Sequence, residues 1–303
     1  MRAVDASANA PFVLPTAPQA EADITATRDA ATVLLVSDRP DLHVLMLERT
    51  RRAVFSPGAT VFPGGGVDPA DREARSLQRV IGLDDRAASA QQGLSEGGLA
   101  FRIAALRECF EEAGILLARE TERIRPVEHD AHLERAREQL NAGTLSFADF
   151  LEARGLVLDA RVLRLFSHWL TPVGSPRRYN TWFFVAPAPE GEDGAHDDNE
   201  LVASAWVRPH DALAQHAAGE IDLIFPTEMS LRALAHYDNS RDLFRDLDAA
   251  PSDANGCLLV LPGGNGERVA LPADGDQPTA PWTIPLPEVS FRAERAAAAR
   301  VGE

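Results

Sequence analysis

The chain contains no lysine; all 30 of its basic residues are arginine. Schiff-base catalysis and the phosphate-cradling P-loop both use a lysine amine, so both are excluded. Arginine is left as the only permanently cationic side chain for an anionic substrate. Cysteine is scarce as well. Cys109 and Cys257 are too few for a disulfide framework and fit a reducing compartment. No apolar run approaches the roughly 18 residues of a membrane span. The first 28 residues are Ala-rich with scattered acids and prolines, and lack the basic and apolar regions of a signal peptide. The last four, Arg300-Val301-Gly302-Glu303, match no targeting tail. These absences lead us to expect a cytoplasmic protein without a membrane partner. A net charge of -16 argues against nonspecific binding to nucleic acid, which depends on neutralising phosphates.

At 303 residues, 45% hydrophobic and 25% charged, the chain has the length and composition of an ordinary globular protein with one elaborated domain or two small ones. Ala31 to Val36 and Leu42 to Leu47 are short apolar runs around Ser37-Asp38-Arg39-Pro40 and predict a hairpin. A short strand, Ala59 to Phe62, runs into Pro63-Gly64-Gly65-Gly66. Residues 72–98 are polar, with a short helix expected near Arg72 to Ile81. Helices are expected at Leu99 to Leu117, Glu128 to Asn141, Ser146 to Ala153, from Pro209, at Thr227 to His236 and at Ser240 to Leu247. Strands are expected at Val162 to Leu170, Thr181 to Ala186 and Leu201 to Val207, and a second hairpin at Cys257 to Leu271 around Gly263-Gly264-Asn265-Gly266. This mixture predicts an α+β fold, a mixed β-sheet with helices packed on it.

The chemistry concentrates in Leu99 to Leu117. At about 100° per residue, Ile103, Leu106, Phe110 and Ala113 fall on one face. Glu108, Glu111 and Glu112 fall together on roughly the opposite face, at i, i+3 and i+4. Like charges at this spacing repel, and a hard cation with a preference for oxygen ligands would reverse the penalty. Gly114 is a natural helix stop. A Glu-x-x-Glu-Glu on an amphipathic helix is by itself most often a solvated face; the surrounding residues change that reading.

Arg107-Glu108-Cys109-Phe110-Glu111-Glu112-Ala113-Gly114-Ile115 resembles the second half of the signature box of the Nudix hydrolase family. Phe62-Pro63-Gly64-Gly65 resembles the approach to that box, and Asp71 stands where the first half has its Glu. Residues 72–106 separate Asp71 from Arg107, a much longer stretch than the pattern has. An insertion at this point resembles the peroxisomal acyl-coenzyme A diphosphatase branch of the family. So do Phe101-Arg102-Ile103-Ala104-Ala105-Leu106 running into the box, Trp169-Leu170-Thr171-Pro172, and Arg177-Arg178-Tyr179-Asn180-Thr181. Coenzyme A hydrolases often carry an Arg-Ser…Arg…Gly…Phe-Pro-Gly-Gly pattern. Arg49-Thr50, Gly58 and Phe62 to Gly65 match it, with Val54 where the second Arg belongs.

The resemblance implies a Nudix fold, a mixed sheet sandwiched between helices, over residues 29–250. The insertion at 72–98 is polar and contains Gly82, Gly93, Gly97 and Gly98, so a loop outside the core is expected there, with extra helices in 120–155. Residues 1–28 would be a flexible lead-in and 251–303 a C-terminal hairpin and tail. The resemblance also implies Mg²⁺ or Mn²⁺ held by Glu108 and Glu112, with Glu111 either a further ligand or the base and the Gly65 carbonyl completing the site. Arg107 would orient the glutamates. Glu200 stands where some Nudix enzymes place a general base. Arg177, Arg178 and Arg49 are the candidates for contacting the substrate; on a strand the adjacent pair would point to opposite faces. The expected activity is metal-dependent hydrolysis of a small-molecule diphosphate. Coenzyme A or acyl-coenzyme A is the leading substrate, giving 3',5'-ADP and 4'-phosphopantetheine or its acyl form. The alternatives are an ADP-ribose or nucleotide-sugar pyrophosphatase and a non-catalytic ligand-sensing domain, which has no need of three crowded carboxylates. A homodimer is compatible with the sequence.

Overall fold

The computed structural model describes residues 26–50, 58–120, 130–171, 177–189 and 201–249. The strands are β1 (Thr27–Asp38), β2 (Leu42–Arg49), β3 (Ala59–Val61), β4 (Gly64–Gly66), β5 (Val80–Ile81), β6 (Ala118–Glu120), β7 (Leu156–Asp159), β8 (Arg164–Leu170), β9 (Arg178–Pro187), β10 (Leu201–Val207) and β11 (Asp222–Leu223). The helices are α1 (Ala74–Leu77), α2 (Asp85–Gln92), α3 (Gly98–Ala113), α4 (Ala131–Asn141), α5 (Phe147–Ala153), α6 (Pro209–Ala217), α7 (Phe225–Leu234) and α8 (Ser240–Ala249).

The main sheet is mixed. Its order is β11-β3-β2-β1-β9-β8, with β10 on β2 and β4 on β1. β1 and β2 form the expected antiparallel hairpin, with Val36 opposite Val44, while β9 runs parallel to β1 on its other side. Side chains alternate across a strand, so one apolar run can serve two cores. Ala31, Val33, Leu35, Leu45 and Leu47 face a core shared with α3. Leu34, Val36, Leu42, Val44 and Met46 face a second core that takes in buried residues of α6, α7 and α8. The sheet is therefore sandwiched between helices.

β1 and β2 separate beyond their hairpin, and the segment 59–66 fills the gap, β3 against β2 and β4 against β1. This close approach depends on Gly64. A Cβ there would lie 2.5 Å from the Ala31 carbonyl oxygen and 2.7 Å from Thr32 Cα.

The insertion departs from the expectation of a loop outside the core. Residues 72–98 form α1, β5 and α2, and Ala88 is fully buried in the α3-side core. β5 pairs with β7, and β7 with β6, so strands from before α3, just after it and beyond the extra helices make a second, three-stranded sheet. Buried Arg102 on α3 ties these parts together. It donates to the carbonyls of Ala160 (3.1 Å) and Leu163 (2.7 Å) and to Gln91 Oε1 (2.6 Å). Consequently α3 is not half-exposed as a two-faced helix would be: Glu108 and Glu111 are its only residues that are not buried.

Other boundaries shift by a few residues. Thr27 and Arg28, expected in the lead-in, belong to β1. The expected helix near 72–81 shrinks to α1, and α4 starts at Ala131 behind Asp130, whose side chain accepts from the N–H groups of His132 and Leu133. α3 stops at Gly114, which is left-handed with φ 72°. Ile115 to Leu117 are nonhelical and buried, so their apolarity serves the core rather than a longer helix. The C-terminal hairpin at 257–271 lies outside the described residues. Among the described residues no helix is long and apolar enough to cross a membrane.

If the insertion is core, crowding its contact with α3 should destabilise the whole domain. A Cβ at Gly98 would lie 2.5 Å from Ser89 N. Overpacking of this kind costs about 1–3 kcal/mol, so Gly98→Val is expected to lower the thermal midpoint by about 2–12 °C. A midpoint equal to the wild type in calorimetry would show that α2 is a peripheral attachment.

Candidate active site

The site forms where α3 meets β4. Helix α3 presents its acids toward the Gly64–Gly66 strand, which the main sheet holds in place. The Gly64 N–H donates to Glu112 Oε2 at 2.8 Å. A Cβ on Gly65 would overlap the Glu108 carboxylate, so a larger residue there would displace that side chain from its present position. The two halves of the box, far apart in sequence, are thus in direct contact.

Arg107 organises the cluster. Its Nε and Nη2 take the two oxygens of Asp71 at 3.2 and 3.0 Å. Nη1 donates to Glu108 Oε1 at 2.8 Å and to Glu111 Oε2 at 2.9 Å. Nη2 also donates to the Gly66 carbonyl at 2.8 Å, and Asp68 lies 3.7 Å away. Asp71 is buried and accepts in addition from the Asp68 N–H at 2.8 Å. Asp71 therefore holds Arg107, and Arg107 holds two of the glutamates. Its place in the first half of the box was legible in the sequence; its bidentate grip on Arg107 was not.

Three carboxylates, Asp71, Glu108 and Glu111, bond one central guanidinium, and a fourth, Glu112, stands next to Glu111 on α3 and accepts from the Gly64 N–H. Burial, together with the charge of Glu111, pushes the Glu108 carboxyl up to about 7, against the pull of Arg107. Burial also raises Glu111 and Asp71 above the ordinary carboxylate range, again against the pull of Arg107. Burial opposes the charged form of Arg107, yet Glu108, Asp71 and Glu111 together hold it above the ordinary arginine value. The surplus of negative charge and the all-oxygen donor set fit a hard divalent cation. As they stand, the side chains do not form a closed cage. Arg107 bridges Glu108 and Glu111, Glu112 turns to Gly64, and among the described residues no three His, Cys, Asp or Glu are arranged to hold a metal.

The expected substrate-contacting residues are spread more widely. Arg178 opens β9 and is buried, with Nε donating to the Thr171 carbonyl at 3.1 Å. Arg177 precedes the strand and is exposed, so the pair differs by burial rather than by alternation along a strand. Arg49 is half-buried at the end of β2. Glu200 and Val54 lie outside the described residues. Sequence reasoning missed Arg137 and Asn141, which come from α4 to the end of α3; nothing local in the sequence marks them.

A metal-free form should feel the crowded acids. The Glu108 pKa is raised from 4.5 to about 7 in the folded chain, so the folded state binds that proton more tightly than the unfolded state does. Its ionisation therefore costs stability in full above about pH 7, and the cost is relieved as pH falls through 7 toward 4.5. In EDTA, the urea midpoint is expected to rise between about pH 8 and about pH 6, and Glu108→Gln to remove most of that rise. A wild-type midpoint that stays flat or falls over the same interval would contradict the charge balance described above.

Comparison with known proteins accords with this geometry. A family model described as the NUDT19 Nudix domain matches residues 78–234. A protein named acyl-coenzyme A diphosphatase NUDT19 from Gallus gallus is 32% identical, over 78% of this chain and 78% of that protein. The Homo sapiens protein of the same name is 30% identical over 67% of this chain, and the match spans 63% of that protein. Among solved structures, a NUDIX hydrolase from Alicyclobacillus acidocaldarius superposes with a TM-score of 0.63 at 28% identity, covering 74% of this chain and 97% of that one. The fold, the joined halves of the box and these relatives agree: the chain belongs to the Nudix hydrolase family, in the group described by the NUDT19 Nudix domain.

Proposed function

We propose that this Nudix hydrolase is a metal-dependent diphosphatase acting on coenzyme A or acyl-coenzyme A, releasing 3',5'-ADP and 4'-phosphopantetheine or its acyl form. The observation that carries the reading is the carboxylate cluster around Arg107, which joins both halves of the box. The relatives' names supply the substrate class. Glu108, Glu111 and Glu112, with the Gly65 carbonyl, would hold Mg²⁺ or Mn²⁺. The chemistry such a cation would supply is neutralisation of diphosphate oxygens and a lowered pKa for an attacking water.

The chain's own residues do the rest. Asp71 fixes Arg107, and the Arg107 Nη1 fixes Glu108 and Glu111 together. Gly64 fixes Glu112 through its N–H. Glu111 is the most exposed of the three, at 18% of its side chain. It takes a proton from water or adds a ligand to the metal; Glu200 is the other residue suited to the base role. For the 3'-phosphate of coenzyme A, a planar guanidinium fork suits a dianion. Of the arginine pair, exposure supports Arg177 for this role, since Arg178 is buried and donates to Thr171. The two cysteines suit a reducing compartment, and on that ground we assign the protein to the cytoplasm.

Incubation with Mg²⁺ or Mn²⁺ and a panel of coenzyme A, dephospho-coenzyme A, ADP-ribose and a nucleotide sugar tests the reading. The expected result is preferred cleavage of coenzyme A or its acyl form. Preference for ADP-ribose would move the protein to another substrate class. Glu111→Gln and Glu112→Gln are each expected to lower turnover by at least about a hundredfold. Near-normal turnover in both would remove the cluster as the reacting centre. Arg177→Ala is expected to cost about 10- to 150-fold in kcat/KM on coenzyme A and little on dephospho-coenzyme A. Equal losses on the two substrates would assign Arg177 to the diphosphate or the fold.

A further inference from the structure

Helix α3 ends where its chemistry lies. The last carbonyls of a helix lack intrahelical partners. Gly114 returns only the first of these, donating from its N–H to the Phe110 carbonyl at 3.0 Å. The next two belong to Glu111 and Glu112, and both are met by a single side chain from α4. Arg137 Nε donates to the Glu111 carbonyl at 2.9 Å and Nη2 to the Glu112 carbonyl at 2.6 Å. Asn141, one turn further along α4, adds its Nδ2 to the Glu111 carbonyl at 3.2 Å.

We propose that Arg137, assisted by Asn141, is a positioning residue for the reaction. It fixes the peptide units of Glu111 and Glu112 and thereby the directions of two of the three carboxylates. The inference rests on the diphosphatase reading for what those carboxylates do. The fork is not needed to dock α4, because Leu133, Ala136 and Leu140 already bury that helix in the α3-side core. What the fork adds is specific to the end of α3. Two parallel charge-assisted bonds hold adjacent peptide units at fixed orientation, and a cation suits the negative end of the helix dipole.

The glutamates are then gripped from two sides. Glu111 is held at its carboxylate by Arg107 and at its carbonyl by Arg137 and Asn141. Glu112 is held at its carboxylate by Gly64 and at its carbonyl by Arg137. With the fork removed, those carbonyls turn to water and the last turn of α3 loosens under the two acids. A lysine at position 137 presents a compact ammonium without the planar fork, so it restores part of the constraint and not all of it.

The test uses the full chain and four variants: Arg137→Ala, Arg137→Lys, Asn141→Ala and, as a control for charge on α4, exposed Arg135→Ala. Three quantities are read: kcat and KM on coenzyme A with Mg²⁺, calorimetric Mn²⁺ affinity of the metal-free protein, and the thermal midpoint. Arg137→Ala is expected to lose about 10- to 100-fold in kcat or in Mn²⁺ affinity, the usual consequence of losing an outer-shell partner. KM should stay within about threefold, because the fork is engaged with the backbone carbonyls of Glu111 and Glu112. Arg137→Lys and Asn141→Ala should fall between it and the wild type, and Arg135→Ala should match the wild type. If Arg137→Ala lowers only the thermal midpoint, leaving kcat and Mn²⁺ affinity within about twofold, the positioning role is overturned. A wild type that cleaves none of the diphosphates would overturn the substrate reading alone, and Mn²⁺ affinity would still decide the role of Arg137. A wild type that neither cleaves nor binds Mn²⁺ would overturn both.

Discussion

The structure of the site depends on one buried contact, the two-bond pair between Arg107 and Asp71. Asp71 belongs to the turn that follows β4, and Arg107 sits in the middle of α3. Their pairing closes the two halves of the box across the insertion. It also sets the fork of Arg107 so that its remaining N–H groups reach Glu108, Glu111 and the Gly66 carbonyl. Without Asp71, Arg107 would still be attracted to the glutamates but would not be aimed at them. Breaking one partner of a buried ion pair commonly costs about 3–5 kcal/mol. That expense is borne in a cluster whose net charge is negative, so Arg107 stabilises the fold while leaving electrostatic demand for a cation.

Much of the fold was legible in the sequence because its long elements obey simple periods. The apolar runs of β1 and β2 gave their hairpin, and the same runs feed both cores once the sheet is seen to be covered on two faces. Gly114 stopped α3, Ser146 capped α5 through the Asp149 N–H, and Pro209 opened α6. The second sheet was not legible. Its strands span two to four residues, too short for a period to show, and their partners are decided by how α2, α4 and α5 pack. The expected loop at 72–98 failed for a related reason. Its glycines and polar residues do suit turns, but small residues such as Ala88 and Gly98 also allow close helix contact.

The candidate site divides in the same way. The spacing of Glu108, Glu111 and Glu112 and the glycines at 64 and 65 are local, and the cluster they form follows from them. Arg137 and Asn141 act through backbone carbonyls of residues far away in sequence, and such contacts leave no pattern in the chain. The adjacent arginines 177 and 178 look alike in sequence; only the start of β9 separates the exposed one from the buried one.

The second sheet has a topological consequence for helix α3. β5 comes before the helix, β6 directly after it, and β7 joins both. The stretch of chain that contains the helix is therefore closed by hydrogen bonds at its two ends. The helix is also tethered in its second turn, where Arg102 bonds the segment following β7. Any movement of α3 away from the main sheet must carry this second sheet with it or break its pairing. If this closure makes one opening unit of the glutamates, the insertion and the extra helices, hydrogen exchange at the glutamate amides would report the stability of that whole unit rather than of a single helix.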